Sequence, residues 1–362
     1  MRTVPVHIGV GLFTRLSREL RRRSPERRVA VISDSRVAKL YGSLLLGALQ
    51  RSRLSAELFR FPAGERSKSR ETKSKLEDRM HRAGFGRDTT VIALGGGVTG
   101  DLAGYLAASW HRGVPLVQVP TTLLAMVDSS IGGKAGVNLP RGKNLIGAIH
   151  QPEAIYSDLS TLNTLSDRHF REGLAEMIKA GVISDAEFFG QLENEMPRLL
   201  QRRRATMQRL IKRSVEIKAS VVRGDERESG RRAILNFGHT VGHAIEALSD
   251  YRIGHGRAIS IGMVIEAELA HRHCGFPADA QRRLTELLDA AGLPTRMPSG
   301  MEARAIVKLA RNDKKARAGR ARYALPERLG RMRRFSATAR SAVEYTVELP
   351  ESELLGLLTR GH

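Results

Sequence analysis

A short apolar run that ends in glycines constrains this chain most. Residues 91–94 (VIAL) have the length and β-branched character of a buried strand, and Gly95-Gly96-Gly97 follow at once. A helix-like run comes next, so the unit reads strand, tight turn, helix. The same order recurs on either side. Residues 29–33 (VAVIS) read as a strand closing at Asp34, and residues 114–119 (VPLVQV) as another closing at Pro120-Thr121-Thr122. Strands that alternate with helices pack as a mostly parallel sheet with helices on its faces. Ligands on such sheets gather beyond the carboxyl ends of the strands, where Asp34, the glycine triplet and Thr121-Thr122 all fall.

From about residue 161 the texture changes. Helical periodicity dominates residues 167–183, 186–222, 240–248, 258–273 and 278–291. The expected architecture is an α/β N-terminal, Rossmann-like nucleotide-binding domain over 1–160, followed by an all-α C-terminal domain over 161–362. A length of 362 residues suffices for two cores. No run of about 18 apolar residues occurs, so no membrane span is expected. The N-terminus lacks a signal-peptide layout, and the single cysteine, Cys274, has no partner for an internal disulfide. A cytoplasmic location is therefore expected.

The formal net charge of +22 raises the question of nucleic acid. Of the 60 basic residues only 12 are lysine, and the arginines are scattered in short runs such as 21–23, 202–204 and 333–334. No nucleic-acid motif accompanies them, and aromatics make up 5%, too few for stacking platforms. No nucleic-acid partner is expected. The charge reads as a solvated, arginine-rich surface whose field would steer a phosphorylated substrate inward.

Gly95, Gly97 and Gly100 satisfy G-x-G-x-x-G, a weak signal alone but a meaningful one between a strand and a helix. Glycine lets backbone approach a pyrophosphate, and the helix N-terminus offers N–H groups and a positive dipole end. A ligand-free turn is the plain alternative. The usual acid about 20 residues on is absent, but Asp34 ends the preceding strand and could take a ribose hydroxyl.

The segment 128–144 (DSSIGGKAGVNLPRGKN) reads as a polar loop, a kind that is often inert. Its cations and amides among glycines argue for binding instead. Lys134 and Lys143 can meet carboxylate or phosphate as point charges, and Asn144 offers donor and acceptor to a sugar hydroxyl. His239 and His243 are four apart and share a helix face, His255 follows 12 residues later, and Glu176 lies on an earlier amphipathic helix. These are zinc-type ligands. Thr240 after His239 excludes H-E-x-x-H. Spacing does not say which histidine is a ligand and which is catalytic.

Taken together, ALGGGVTGDLAGYLAASWHRG (93–113), VPTTLLAMVDSSIGGKAGVNLPRGKNLIGAIHQP (119–152), GLAEMIKAGVI (173–183), DERESGRRAILNFGHTVGHAIEAL (225–248) and NDKKARAG (312–319) closely resemble the 3-dehydroquinate synthase family of sugar phosphate cyclases. The resemblance implies zinc, or cobalt, held by Glu176, His239 and His255, with His243 as the acid/base group beside it. It implies NAD contacts at Asp34, Glu65, Lys68, Gly96, Gly97, Asp101, Thr121, Thr122, Lys143 and Thr164. Substrate contacts are implied at Arg112, Asp128, Lys134, Asn144, Lys179, Lys218, Arg232, Asn236, and Lys314 or Lys315. Glu228 matches a proton acceptor, although in the charged run DERES a solvated carboxylate is the simpler reading. The implied substrate is 3-deoxy-D-arabino-heptulosonate 7-phosphate. The implied chemistry is transient oxidation at C5, phosphate elimination, re-reduction and aldol-type ring closure, in a homodimer.

Overall fold

The computed structural model describes residues 4–139, 142–225, 230–311, 320–336 and 343–359. The chain divides into two compact units, Met1–Ser166 and Asp167–His362. The first is built from β1 (Val6–Gly9), α1 (Leu12–Arg23), β2 (Arg28–Asp34), α2 (Ser35–Val37), α3 (Ser43–Arg51), β3 (Ala56–Phe61), α4 (Arg70–Arg82), β4 (Thr89–Gly95), α5 (Gly97–Ser109), β5 (Leu116–Pro120), β6 (Lys134–Leu139), β7 (Gly142–Ile149) and β8 (Ala154–Asp158).

Six of these strands form a parallel sheet in the order β1-β8-β5-β4-β2-β3. The alternation within β2 shows why the sheet is covered on both sides. Val29 and Val31 pack with residues of α1 and α3, while Ala30 and Ile32 pack with residues of α4 and α5. Each fully buried Val, Ile or Phe side chain there contributes about 1.5–3 kcal/mol of transfer free energy. β2 connects outward to β3, and the chain then returns across β2 to β4. That reversal places the end of β2 beside the end of β4, at the topological switch point.

The segment 128–144 is not the polar loop expected. Its second part is strand instead: β6 and β7 pair antiparallel, with Gly136 opposite Gly147. Glycines on both strands hide the side-chain alternation that marks a ribbon, and Val137 anchors it in the core of the α/β unit.

The second unit is largely helical: α6 (Asp167–Ser184), α7 (Ala186–Leu200), α8 (Arg204–Gly224), α9 (His239–Leu248), α10 (His255–Cys274), α11 (Ala278–Ala290), α12 (Ala303–Arg311) and α13 (Glu351–Thr359). The continuous helix expected over 186–222 breaks between α7 and α8, where Arg202 takes a left-handed conformation with φ of 56°. The unit is largely helical as expected, with small additions of strand. Short strands β9 (Arg322–Tyr323), β10 (Pro326–Arg328), β11 (Arg331–Met332), β12 (Phe335–Ser336), β13 (Val343–Glu344) and β14 (Val347–Glu348) pair in two-stranded ladders. Pro326 and Gly330 disfavour a helix there, and the Arg322 guanidinium fastens β9 by bonding Glu344, Glu348 and Thr346. Among the described residues no helix is long and apolar enough to cross a membrane.

Candidate active site

Three side chains from three helices of the second unit converge on one point. Glu176 projects from α6, His239 opens α9 and His255 opens α10. Their ligand atoms all lie within 4.8 Å of one another. The Nε2 atoms of His239 and His255 are 3.6 and 3.4 Å from Glu176 Oε1. Ligands held at about 2.0–2.2 Å by a tetrahedral zinc stand about 3.4 Å apart, so the set has the right span. Glu176 Oε1 is buried and has no hydrogen-bond partner among the described residues. The other oxygen, Oε2, pairs with Lys179 one turn along α6. A buried, unsatisfied carboxylate oxygen facing two imidazole nitrogens fits a divalent cation, and burial without one would be costly.

Burial pushes the Glu176 carboxyl up, but Lys179, His255 and His239 together outweigh it and hold the group well below the usual carboxylate range. Burial pulls the His255 imidazole down, yet Glu246 and Glu176 overcome it and raise it to about 10. A raised pKa keeps the proton on His255 through neutral pH and up to that value. A cation entering at Nε2 must displace a proton. Titrating zinc into metal-free protein at pH 7 is expected to release about one proton per ion, and affinity is expected to strengthen as pH rises toward 10. Calorimetry in buffers of different ionisation enthalpy reads this directly. Equal apparent enthalpies in all buffers would contradict it.

His243 lies one turn beyond His239, with ring centroids 5.1 Å apart, and 6.1 Å from the His255 ring. The same helix face therefore carries one member of the triad and a neighbouring imidazole.

The carboxyl edge of the parallel sheet gathers the expected nucleotide residues. Asp34 ends β2, Gly96 and Gly97 follow β4, and Thr121 and Thr122 follow β5. Asp34 Oδ1 accepts from the backbone N–H groups of Arg36 and Val37, capping α2, and Oδ2 is 3.4 Å from Thr99 Oγ1 in the first turn of α5. Gly96 caps α5 without a side-chain hydrogen bond. That leaves the helix N-terminus to other acceptors, the arrangement that receives phosphate. Thr121 Oγ1 is buried and without a hydrogen-bond partner among the described residues, while Thr122 Oγ1 accepts from Ala125 N. These features fit a dinucleotide. Glu65 and Lys68 follow β3, and Thr164 ends a turn after β8, hydrogen-bonded to the Tyr41 hydroxyl. Thus the residues expected to contact the nucleotide, Asp101 on α5 and Lys143 on β7 apart, follow the carboxyl ends of the sheet strands.

Lys68 is buried, and its ammonium bonds both Asp101 and Asn144 Oδ1. Burial pushes the Asp101 carboxyl up, against the opposing pull of Lys68. Lys134 opens β6 and Asn144 lies on β7, so the hairpin carries both. Asp128 lies in the turn Ala125–Ser129, and Arg112 ends an exposed turn after α5 with φ of 68°. In the other unit, Lys218 is half-buried on α8, and Arg232 and Asn236 are buried in the turn Arg231–Asn236. Glu228, Lys314 and Lys315 lie outside the described residues.

Three further residues support the site without having been singled out in the sequence. Glu246 Oε2 is 3.0 Å from His255 Nδ1, which turns Nε2 toward Glu176. Fully buried Glu266, from α10, accepts from the N–H groups of Gly238 and Val241 at 2.7 and 3.1 Å. It caps α9, whose own cap residue is glycine. Asn138 on β6 bonds to both Glu65 and Asn144.

Comparison with known proteins agrees with this geometry. The family model "3-dehydroquinate synthase N-terminal" matches residues 58–172, and "3-dehydroquinate synthase C-terminal" matches residues 173–316. The 3-dehydroquinate synthase of Symbiobacterium thermophilum is 46% identical over 329 residues, covering 90% of this chain and 92% of that protein. Among solved structures, 2-epi-5-epi-valiolone synthase from Streptomyces hygroscopicus subsp. jinggangensis, with NAD+ and Zn2+ bound, superposes with a TM-score of 0.87 at 27% identity, covering 99% of this chain and 97% of that one. A 2-deoxy-scyllo-inosose synthase complexed with carbaglucose-6-phosphate, NAD+ and Co2+ gives 0.85 at 26% identity, covering 100% and 98%. The contiguous family matches and the long, high-identity alignment show that the chain belongs to the 3-dehydroquinate synthase family.

Proposed function

We propose that the chain converts 3-deoxy-D-arabino-heptulosonate 7-phosphate to 3-dehydroquinate and inorganic phosphate, using NAD+ and a zinc or cobalt ion. The observation that carries this reading is the convergence of buried Glu176 with the half-buried His239 and His255, with one unsatisfied carboxylate oxygen and His243 alongside. The glycine turn and unpartnered Thr121 hydroxyl at the sheet edge supply the nucleotide half of the argument. Glu176, His239 and His255 would hold the ion, which would supply Lewis-acid polarisation of a substrate oxygen, and NAD bound at the sheet edge would supply reversible hydride chemistry with no net redox change.

The chain's own groups then have definable tasks. Lys134 and Asn144, carried on one hairpin, grip the phosphate that departs. His243 holds or moves a proton on the substrate side of the triad, and the substrate's own phosphate serves as base for its elimination. Buried Arg232, with Lys218, pairs the C1 carboxylate, and Asn236 and Asp128 orient hydroxyls. Arg112 offers a fork for phosphate, and Glu228, Lys314 and Lys315 are assigned from the family pattern. Lys179 neutralises one oxygen of Glu176, which keeps the other directed at the ion. Most of the assistance is positioning and electrostatics. The chain is also read as a cytoplasmic homodimer, as the family resemblance implies; sedimentation as a monomer at working concentration would contradict the dimer.

A substrate panel tests the reading. With NAD+ and Zn2+ supplied, the heptulosonate phosphate is expected to release phosphate at least about a hundredfold faster than a heptulose 7-phosphate lacking the C1 carboxylate, because that analogue forgoes the charge-assisted bonds that Arg232 and Lys218 would make to the carboxylate. A hexose 6-phosphate should be slower still. Equal rates, or preference for the carboxylate-free sugar, would place the chain with a sister cyclase activity instead.

A further inference from the structure

We infer that Asn138 is a positioning residue that couples the nucleotide-binding segment to the phosphate-gripping hairpin. This rests on the functional reading above. Three hydrogen bonds carry it. The backbone N–H of Asn138 donates to Lys68 O at 2.8 Å, which fixes β6 against the segment after β3. The side-chain Nδ2 donates to Glu65 Oε1 at 2.8 Å. The side-chain Oδ1 accepts from the backbone N–H of Asn144 at 3.0 Å.

Both ends of one amide are therefore used, and for different purposes. The donor end holds Glu65, a residue assigned to NAD. The acceptor end holds Asn144, a residue assigned to substrate. A side-chain amide offers a donor and an acceptor on one rigid plane at this reach. Asn144 needs such a hold, because it stands in the left-handed region with φ of 54°. Asparagine tolerates that region better than most residues, but it remains less favourable than extended backbone, so a bond to its N–H helps to hold it there.

The Lys68 ammonium adds a second link. It bonds Asp101 on α5 and Asn144 Oδ1 at once. Asn144 is thus held at its backbone by Asn138 and at its side chain by Lys68. Glu65, Lys68, Asp101, Asn138 and Asn144 form one connected polar cluster in the first unit, and Asn138 is the only one of these five without an assigned part in binding. In such clusters the loss of one member is felt by the others.

The two functions of the amide separate in two variants. Asn138→Asp keeps an acceptor for the Asn144 N–H but sets a second carboxylate against Glu65. Asn138→Ala removes both contacts. The backbone bond to Lys68 O survives in each. NAD+ binding by calorimetry and phosphate release at saturating NAD+ are the two readouts. NAD+ affinity is expected to weaken about tenfold in both variants. Turnover at saturating NAD+ should stay within about twofold of the parent in the Asp variant and fall about tenfold in the Ala variant. A purely structural role would shift thermal stability in both variants without dividing the two readouts between them. Unchanged NAD+ affinity in both variants, or equal turnover losses in both, would overturn the inference alone. Failure of the unsubstituted chain to bind NAD+ would overturn the functional reading and this inference with it.

Discussion

Replacing Glu176 by glutamine is expected to leave the purified chain with essentially no bound zinc and to lower turnover by roughly a thousandfold or more. Glutamine has nearly the same shape, so the fold is not asked to fill a void. The charge is what changes. An ionised carboxylate is a strong zinc ligand, whereas a neutral amide oxygen is a weak one. The ion contributes several kcal/mol of transition-state stabilisation, and each 1.36 kcal/mol is a factor of ten in rate. The variant also strands Lys179, which is 2% exposed and pairs with the same carboxylate. Lys179 then has a buried charge without its counter-ion, so a loss of stability should accompany the loss of metal. Metal content per chain and kcat are the paired measurements. Full zinc occupancy with turnover within tenfold of the parent would remove Glu176 from the site.

Gly262→Ala should unfold the second unit more readily, by about 3 kcal/mol, although position 262 is not among the residues assigned to cofactor or substrate. Gly262 lies where α10 passes the start of α9. A methyl group there would stand 2.0 Å from the Gly238 carbonyl oxygen and 2.9 Å from the Gly242 nitrogen. Both are backbone atoms of a capped helix end, and neither can swing aside as a flexible side chain can. α9 and α10 must then separate, and with them His239 and His255. Zinc affinity should fall along with stability. Gly224→Ala at the end of α8 is the control, because nothing among the described residues lies within 4 Å of its added methyl; helix propensity alone makes it neutral or slightly stabilising. Urea unfolding with zinc present compares the two. Equal midpoints for the parent and the Gly262 variant would show that the helices have room to spare.

The sequence was most legible where one interaction dominates. β2, β4 and β5 announce themselves because a buried parallel strand is a short run of apolar residues, and the observed spans differ from expectation only at the ends. His239 and His243 were legible as a pair because helix geometry puts residues four apart on one face. The hairpin of β6 and β7 was misread because its facing glycines carry no alternation to detect. The break after α7 was missed because the left-handed Arg202 looks, as a residue type, like any other arginine on a helix. Glu246, Glu266 and Asn138 were overlooked for a different reason. An acid on a helix usually means a solvated face, and an asparagine among glycines usually means a turn. Their roles depend on tertiary approach: Glu266 meets Gly238 across 28 residues of chain, and Asn138 meets Glu65 across 73. No local pattern encodes such meetings.

Central to the account is a reaction that borrows a hydride and gives it back. The direct measurement supplies the heptulosonate phosphate, Zn2+ and NAD+ at a concentration far below that of substrate, and follows phosphate and NADH absorbance together. Phosphate and dehydroquinate should accumulate in equal amounts until substrate is exhausted, with no net NADH. Accumulation of NADH, or phosphate release that stops once it equals the NAD+ supplied, would show a dehydrogenase rather than a cyclase.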